Sequence, residues 1–519
     1  MTMESAHRSY VVTVSTLKNN ESPQISLKSH VNYNGYFNNG FCTDKDSLKI
    51  SKKENGQITN EKSLHDKKCE ETHVYKRRWY ILFVYCLLTL TQAMLWNTWG
   101  PIADSSHEAF GWDDGDTALL TDFGPIAFLL VVFLFSWIVD EKGLRWACVL
   151  TAFVMMLGAG LRCITDQPPY VKVTAGIGQF LNGIGTPVSM GVPPVLSAAW
   201  FPANQRTIST AIATVANLAG VGLSFVIGPF MVPDEKNSTG YTGHYTFNTT
   251  TEANLGNASS FPDETVLKKR NQIMNLLYIE CGWAVAIFLL LLVYFPAKPT
   301  IPPSISASTE RLNFKQGCKK LLRNGVFWVI ACSYGLSVGI LGAWPGVLEM
   351  VLKPHGISEN EAGLIGLYSV VCGIFLSLVA AKCSDVFSKS KKLILLGLYV
   401  TSGAFALWMN LLLSRLLPDS FVSMHIATVV GGATLTATTP VYFEMACETT
   451  YPVAEGITNF VLALVNNLVS VAFLAIQTIP HIGTSWEGWC LFGTIVLCIP
   501  GLIFLKERTN RLNVDERKK

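Results

Sequence analysis

The sequence predicts an all-α integral membrane protein of twelve transmembrane helices, arranged as two six-helix bundles. Three observations carry that expectation. Half of the 519 residues are hydrophobic and only 15% are charged, with a mean hydropathy of +0.33, whereas soluble domains are about 25% charged. From Trp79 onward, apolar stretches recur at the length of about 20 residues that a helix needs to cross a hydrocarbon core. Landmarks of the first six stretches recur in the second six at a nearly constant offset. The net charge of +3 excludes a nucleic-acid partner, which would require a basic stripe.

Each element follows from the local text. Residues 1–78 are polar, rich in Asn, Ser and Lys, with no early apolar run of the signal-peptide kind, and read as a disordered tail. Helix 1 (79–101) ends in Gly100-Pro101, helix 2 (116–139) ends at Asp140, and helix 3 (146–164) follows a short charged loop. Helix 4 (171–197) is rich in glycine, which suits close helix packing. Helix 5 (205–230) starts after Pro202 and leads to a polar loop, 231–273. Helix 6 (274–296) is the clearest crossing and contains the apolar run 288–293. The linker 297–325 opens on Pro299, Pro302 and Pro303 and carries Arg311, Lys315, Lys319, Lys320 and Arg323. Helices 7 (326–350), 8 (362–382), 9 (393–414), 10 (420–444), 11 (455–479) and 12 (487–505) follow. Helix 10 is the weakest, interrupted by His425 and several Thr residues. The bundles are thus 79–296 and 326–505, with 506–519 as a C-terminal tail. Alternating β-barrel patterning is absent. The cysteines in the apolar runs, such as Cys148 and Cys498, read as small buried hydrophobes.

Twelve crossings place both chain ends on one side. With the ends cytosolic, that side carries 22 Lys and Arg residues from Lys76 onward against 8 on the other, which satisfies the positive-inside rule. The 231–273 loop then faces a lumen or the exterior and holds three Asn-x-Ser/Thr acceptors, Asn237, Asn248 and Asn257, expected to be glycosylated.

Asp140-Glu-Lys-Gly143-Leu-Arg145 after helix 2 is echoed by Asp385 after helix 8, 245 residues on. Thr186-Pro187 recurs as Thr439-Pro440 at an offset of 253, and Trp200-Phe-Pro202 as Thr450-Tyr-Pro452 at 250. Two copies of a six-helix unit explain all three. An Asp at a helix end, a Gly that turns the chain and an Arg can latch neighbouring helices, so Asp140, Gly143, Arg145 and Asp385 are candidates for a conformational latch. This motif resembles the loop signature of the major facilitator superfamily, which implies that superfamily's fold.

Polar groups inside a membrane are costly and point to function. Helix 1 offers Gln92, Trp96 and Asn97; Gln92 and Trp96, four apart, share a helix face. Asn217 on helix 5 and Asn467 on helix 11 can hydrogen-bond a solute, and Tyr334 on helix 7 can stack on one. The ionisable candidates are Asp122, Glu280, Glu349, His425, Glu444, Glu448 and Glu455, of which Asp122, Glu444 and Glu448 are taken as proton-coupling. Glu280 is expected near the outer, wetted surface. No zinc-protease motif, phosphate-binding loop or nucleophile elbow occurs, so no enzyme, cofactor or metal is expected.

Arg77-Arg-Trp79, Trp96-Asn-Thr-Trp-Gly-Pro-Ile102, Gly158-Ala-Gly-Leu-Arg-Cys163, Trp200-Phe201 with Arg206, and above all Glu444-Met-Ala-Cys-Glu448-Thr-Thr-Tyr-Pro452-Val-Ala-Glu455-Gly456 resemble solute carrier family 49, the relatives of the feline leukaemia virus subgroup C receptor. The resemblance extends over about 430 residues from Lys76. It implies a proton-driven transporter in the lysosomal membrane that exports pyridoxine to the cytosol. The family's choline and haem branch uses a helix 1 Trp, matched by Trp96, and glutamines on helices 5 and 11, where the nearest polar residues here are Asn217 and Asn467. The expected partners are a small solute, protons and the bilayer; the sequence is silent on oligomeric state. A choline, ethanolamine or haem carrier without proton coupling stands as the alternative, as does a membrane receptor or scaffold through which nothing passes; the plasma membrane is the alternative location.

Overall fold

The computed structural model describes residues 72–516 except 234–263, 310, 345–347, 356, 358, 419 and 478–484. The three predicted glycosylation sites, Asn237, Asn248 and Asn257, lie outside the described residues, as does the side chain of Glu349.

Among the described residues the regular elements are all helices. Eleven are long and apolar enough to cross a membrane. Helix 1 is Arg78–Trp96, helix 2 Asp114–Trp137 with a π-turn Ile138–Lys142, helix 3 Leu144–Arg162, helix 5 Arg206–Met231 and helix 6 Glu264–Val293. Helix 7 is Gly325–Ala343, helix 8 Glu359–Val386, helix 9 Lys391–Leu413, helix 11 Glu455–Gln477 and helix 12 Ser485–Phe504. Helix 4 is broken into Tyr170–Ile184, Thr186–Gly191 and Pro193–Trp200, and helix 10 into Phe421–Thr436 and Thr439–Thr450. The first break in helix 4 and the break in helix 10 fall at the repeated Thr-Pro, and the second break in helix 4 falls at Pro193, because proline cannot donate into the preceding turn.

Local chemistry sets the ends. Asp113 and Asp116 exchange hydrogen bonds in a capping box that opens helix 2. Asn324 caps helix 7 by accepting from Phe327 N, and Ser420 caps helix 10 by accepting from Ser423 N.

The packing repeats as the sequence offset predicts. Helix 1 packs on 5, 2 and 3 on 4, and 3 on 6; in the second bundle 7 packs on 11, 8 and 9 on 10, and 9 on 12. Glycine permits the closest approaches: a Cβ at Gly220 would stand 2.2 Å from Leu90 O on helix 1, and one at Gly339 would stand 2.8 Å from Asn466 O on helix 11. Three apolar cores result, one in the second bundle and two in the first. The bundles meet mainly through helix 5 on 8 and helix 2 on 11, which are equivalent pairs under the repeat.

Helices also form in the linker and in the C-terminal tail. The linker contains the helices Ile305–Ser308 and Phe314–Leu322. The C-terminal tail contains the helix Asn510–Glu516, whose Arg511 and Asp515 are buried. Cys332 and Cys372, expected to be buried, are exposed on the outer helix surface, while Cys148 and Cys498 are buried as expected.

Candidate functional site

In the first bundle, helix 1 places its polar residues against helices 2, 4 and 5. Gln92 is buried, donates to Thr186 Oγ1 at 3.0 Å, and accepts from Asn217 Nδ2 at 3.4 Å. Asn217 also donates to Thr89 O, and Asn182 to Gln92 O. Trp96 is half-buried; its indole donates to Thr121 O on helix 2 at 3.1 Å and lies against Gly124, where a Cβ would meet it at 2.6 Å. Gln179 donates to Trp96 O, and Asn97 to Ser224 Oγ at 2.8 Å. The expected solute-binding residues of this bundle thus fall into three neighbouring hydrogen-bonded groups, Gln92 with Asn217, Trp96 with Gln179, and Asn97 with Ser224. Gln179 Oε1 and Asn182 Oδ1 are buried without a protein partner.

One turn further, a buried ion pair adjoins these groups. Glu280 is 4% exposed, accepts from Thr98 Oγ1 at 2.8 Å, and lies 3.6 Å from Arg162 Nη1. Arg162 also donates to Leu95 O and Thr98 Oγ1 and keeps Nε and Nη2 unpartnered. This corrects the expectation of a wet Glu280 near the outer surface: Arg162, contributed by helix 3, supplies the counter-charge that makes its burial tolerable. Asp122, by contrast, is exposed, on one stripe of helix 2 with Leu119, Ile126 and Leu130. His425 sits in the first turn of helix 10, stacked on Phe421 with ring centroids 4.0 Å apart.

In the second bundle, Tyr334 is buried and packs against Tyr442 and Phe443 at 5.7 and 5.5 Å. Asn467 reaches across to the first bundle, donating to Met190 Sδ at 3.4 Å as well as to Ala463 O. Tyr334 and Asn467 belong to helices 7 and 11, the repeat equivalents of helices 1 and 5.

The chain-end face carries the densest polar structure. Asp385 at the end of helix 8 accepts from Thr207 N and Ile208 N, the first free amides of helix 5. Asp140 at the end of helix 2 faces the first turn of helix 11 and packs on Gly456, with Oδ2 buried and unpartnered. Each repeated Asp thus faces the N-terminal end of a helix of the opposite bundle, Asp385 as its N-cap. Gly143, at φ 91°, closes the π-turn. Arg145 stays within its own bundle, donating to Leu292 O and Phe295 O at the end of helix 6, so it does not pair across the interface.

Arg511 of the C-terminal helix is fully enclosed by Glu444 at 2.5 Å, Glu448 at 3.4 Å and Glu455 at 3.3 Å. Glu448 also accepts from Arg511 N and Leu512 N. Burial opposes the charge of Arg511, but these carboxylates hold its guanidinium well above the ordinary value. Glu455 binds Arg311 of the linker at 2.7 Å as well. Arg206, first residue of helix 5, pairs with Asp515 at 3.0 Å and donates to Ser304 and Ser306. Glu444 and Glu448, taken from sequence as proton-coupling, are here the anchor of the C-terminal helix. Sequence reasoning singled out Arg206 but missed its partner Asp515, and it missed Arg511; the available signal was the unexplained cluster of three glutamates around a membrane exit.

Residues 74–240 match the sequence profile of the Major Facilitator Superfamily. The chain is 34% identical over 450 residues to a solute carrier family 49 member 4 homolog of Xenopus tropicalis, covering 85% of this chain and 94% of the relative. It is 26% identical over 451 residues to the choline/ethanolamine transporter flvcr2a of Danio rerio, covering 85% and 88%. The fold superposes on the transporter FucP in its outward conformation with a TM-score of 0.60, 12% identity, and coverage of 82% and 98%. The proton:xylose symporter XylE gives a TM-score of 0.60 at 14% identity, covering 84% and 98%. With the repeated helix-end aspartates and the glutamate string in place, the chain belongs to solute carrier family 49 and is a transporter of the major facilitator fold.

Proposed function

We propose that this protein is a proton-coupled carrier of a small, partly aromatic nutrient, pyridoxine being the solute, which it exports from the lysosome to the cytosol by alternating access. Both termini are then cytosolic, and the chain-end face is the cytosolic gate. The observation that carries the reading is the two-fold repetition of that gate: Asp385 on helix 5 and Asp140 on helix 11. A gate whose halves are equivalent under the repeat opens when one bundle rocks against the other. Gln92, Trp96, Asn97 and Asn217 of the first bundle, with Tyr334 and Asn467 of the second, supply the hydrogen bonds and aromatic faces for the solute. That polar inventory also weighs against a scaffold through which nothing passes.

Proton coupling is assigned to Glu280 with Arg162, rather than to Asp122, Glu444 or Glu448. A buried carboxylate whose cation retains two unpartnered nitrogens can exchange a proton for another partner. The relatives FucP and XylE are named as proton symporters, which supports coupling in this fold. The test is uptake of labelled pyridoxine into vesicles containing the purified protein, with the outer medium at about pH 5 or about pH 7.5. Saturable uptake that depends on the gradient is expected, and excess unlabelled choline or ethanolamine should leave it unchanged. Uptake no greater than in empty vesicles would overturn the reading, and inhibition by choline alone would move the solute to that of the 26% identical relative.

A further inference from the structure

Several cations on the chain-end face are tied to carboxylates: Arg206 pairs with Asp515, Arg311 with Glu455, Lys389 with Glu516, and Arg511 with its three glutamates. Four others stand together without one. Lys319 and Lys320 on the linker helix, Arg323 at its end and Arg508 after helix 12 line one groove of about 920 Å³, walled otherwise by Gln316, the start of helix 7, the end of helix 10 at residues 449–451, and Asn510. Among the described residues no carboxylate lines it. Asn324, Gly325 and Val326, the N-terminal end of the 19-residue helix 7, also face it. The unpaired amides there carry about half a positive charge.

We infer that this groove binds a polyphosphorylated headgroup, that of a phosphoinositide lipid or of the corresponding soluble inositol phosphate. The charges match in size. A phosphate monoester carries about −1.5 to −2 at neutral pH, so two of them balance four side-chain cations. A ring with two or more phosphates fills a space that one inorganic phosphate does not. Clustered Lys and Arg at the cytosolic end of a membrane helix suit such headgroups, which concentrate in that leaflet. The placement at the cytosolic leaflet rests on the topology proposed above; the binding itself does not. The groove adjoins the gate, because Thr449, Thr450 and Tyr451 directly follow Glu448, and Asn510, which donates to Thr449 O, precedes Arg511. Occupancy therefore braces the segments that hold Arg511 in place and raises the stability of the gated state.

The test uses the purified full chain. In detergent, inositol trisphosphate is titrated while melting temperature and binding are followed; inorganic phosphate is the comparison. In nanodiscs, phosphatidylcholine alone is compared with phosphatidylcholine holding a few mole per cent of a bisphosphorylated phosphoinositide. Saturable binding of the trisphosphate with a raised melting temperature is expected. The Lys319→Ala/Lys320→Ala/Arg323→Ala variant weakens it by about tenfold or more and leaves the unliganded melting temperature unchanged, since all three side chains are exposed and unpaired. Lys298→Ala/Lys506→Ala, which removes two cations outside the groove, leaves binding unchanged. A melting shift in phosphoinositide nanodiscs identifies the lipid as the source; a shift with the trisphosphate alone identifies the soluble form. No binding in either setting, or equal loss in the triple variant and the Lys298/Lys506 control, overturns the inference. Nanodiscs expose both faces and need no transport, so this result is independent of the uptake assay.

Discussion

Asp385 lies 2.9 Å from the backbone nitrogen of Thr207, so the last turn of helix 8 supplies the cap of helix 5 across the bundle interface. Loss of an N-cap removes about 0.5–2 kcal/mol, here entirely from the state in which the bundles touch. Asp385→Ala should shift the conformational equilibrium toward the open gate by about 2-fold to 30-fold, and Asp140→Ala should do the same at helix 11. Asp385→Asn, which keeps an acceptor but loses the charge, should have the smaller effect. Spin-label distances across the chain-end face report the populations; unchanged distributions in both alanine variants would show that these aspartates do not hold the gate.

Gly456 is the point where Asp140 meets helix 11. A Cβ there would stand 2.3 Å from Asp140 Oδ1, a clash with a side chain fixed between two helices. Gly→Ala in a helix is otherwise favourable by about 1 kcal/mol. Gly456→Ala should therefore open the gate in wild type but be neutral or stabilising in the Asp140→Ala background. The sign reversal in the double-mutant cycle is the measurement, and additivity would refute the contact.

These two contacts mark how far the sequence could be read. The aspartates, their offset and the helix starts at Arg206 and Glu455 were all visible, because charge and periodicity are written in side chains. Their partners were not: Asp385 binds backbone N–H groups, which every residue possesses, and Asp140 packs on Gly456, a contact no sequence pattern marks. Glu280 was misplaced for a related reason. Its own helix puts it near a polar loop, and only the fold brings Arg162 to it. Arg511 sits in a short polar segment that resembles any solvated tail, and its role depends on three glutamates some sixty residues earlier. The break in helix 4 was legible in Pro187 and Pro193 but was overridden by the apolar run around it.

Arg511→Ala should leave Glu444 and Glu448 buried without their main cation, a loss on the order of 3–5 kcal/mol for a buried pair, seen as a melting temperature lower by several degrees. Arg511→Lys keeps the charge but not the fork and should fall between. The folded-state pKa of Arg511 is raised above its unfolded value, so its contribution is fully present below about pH 12 and is lost only at still higher pH. The melting deficit of Arg511→Ala should thus be equal at about pH 5.5 and about pH 7.5. A deficit that vanishes at the lower pH would mean that the glutamates, not Arg511, titrate in the working range.

Trp96 offers an aromatic face while its indole N–H is fixed on Thr121 O. Trp96→Ala should abolish saturable uptake while the protein remains present and folded, because Gly124 needs no side chain to support its helix. Trp96→Phe keeps a ring but loses the anchoring hydrogen bond, and should raise the half-saturation concentration more than it lowers the maximal rate. Equal loss in both variants, with a lowered melting temperature, would mark Trp96 as packing between helices 1 and 2 and nothing more.

Glu280→Gln separates coupling from transport. The amide keeps the size of the carboxylate and an acceptor for Thr98, whose Oγ1 stands 2.8 Å from Glu280 Oε1, but it removes the negative charge opposite Arg162. If Glu280 carries the proton, glutamine mimics its protonated form. Solute exchange between equal concentrations should persist, while uptake driven by a pH gradient is lost. Arg162 becomes a buried charge without its counter-ion, so the melting temperature should also fall; Arg162→Gln in the same chain should restore much of it, because the pair is then neutral on both sides. Retention of gradient-driven uptake in Glu280→Gln would return proton coupling to another carboxylate, Asp122 first, since it is exposed.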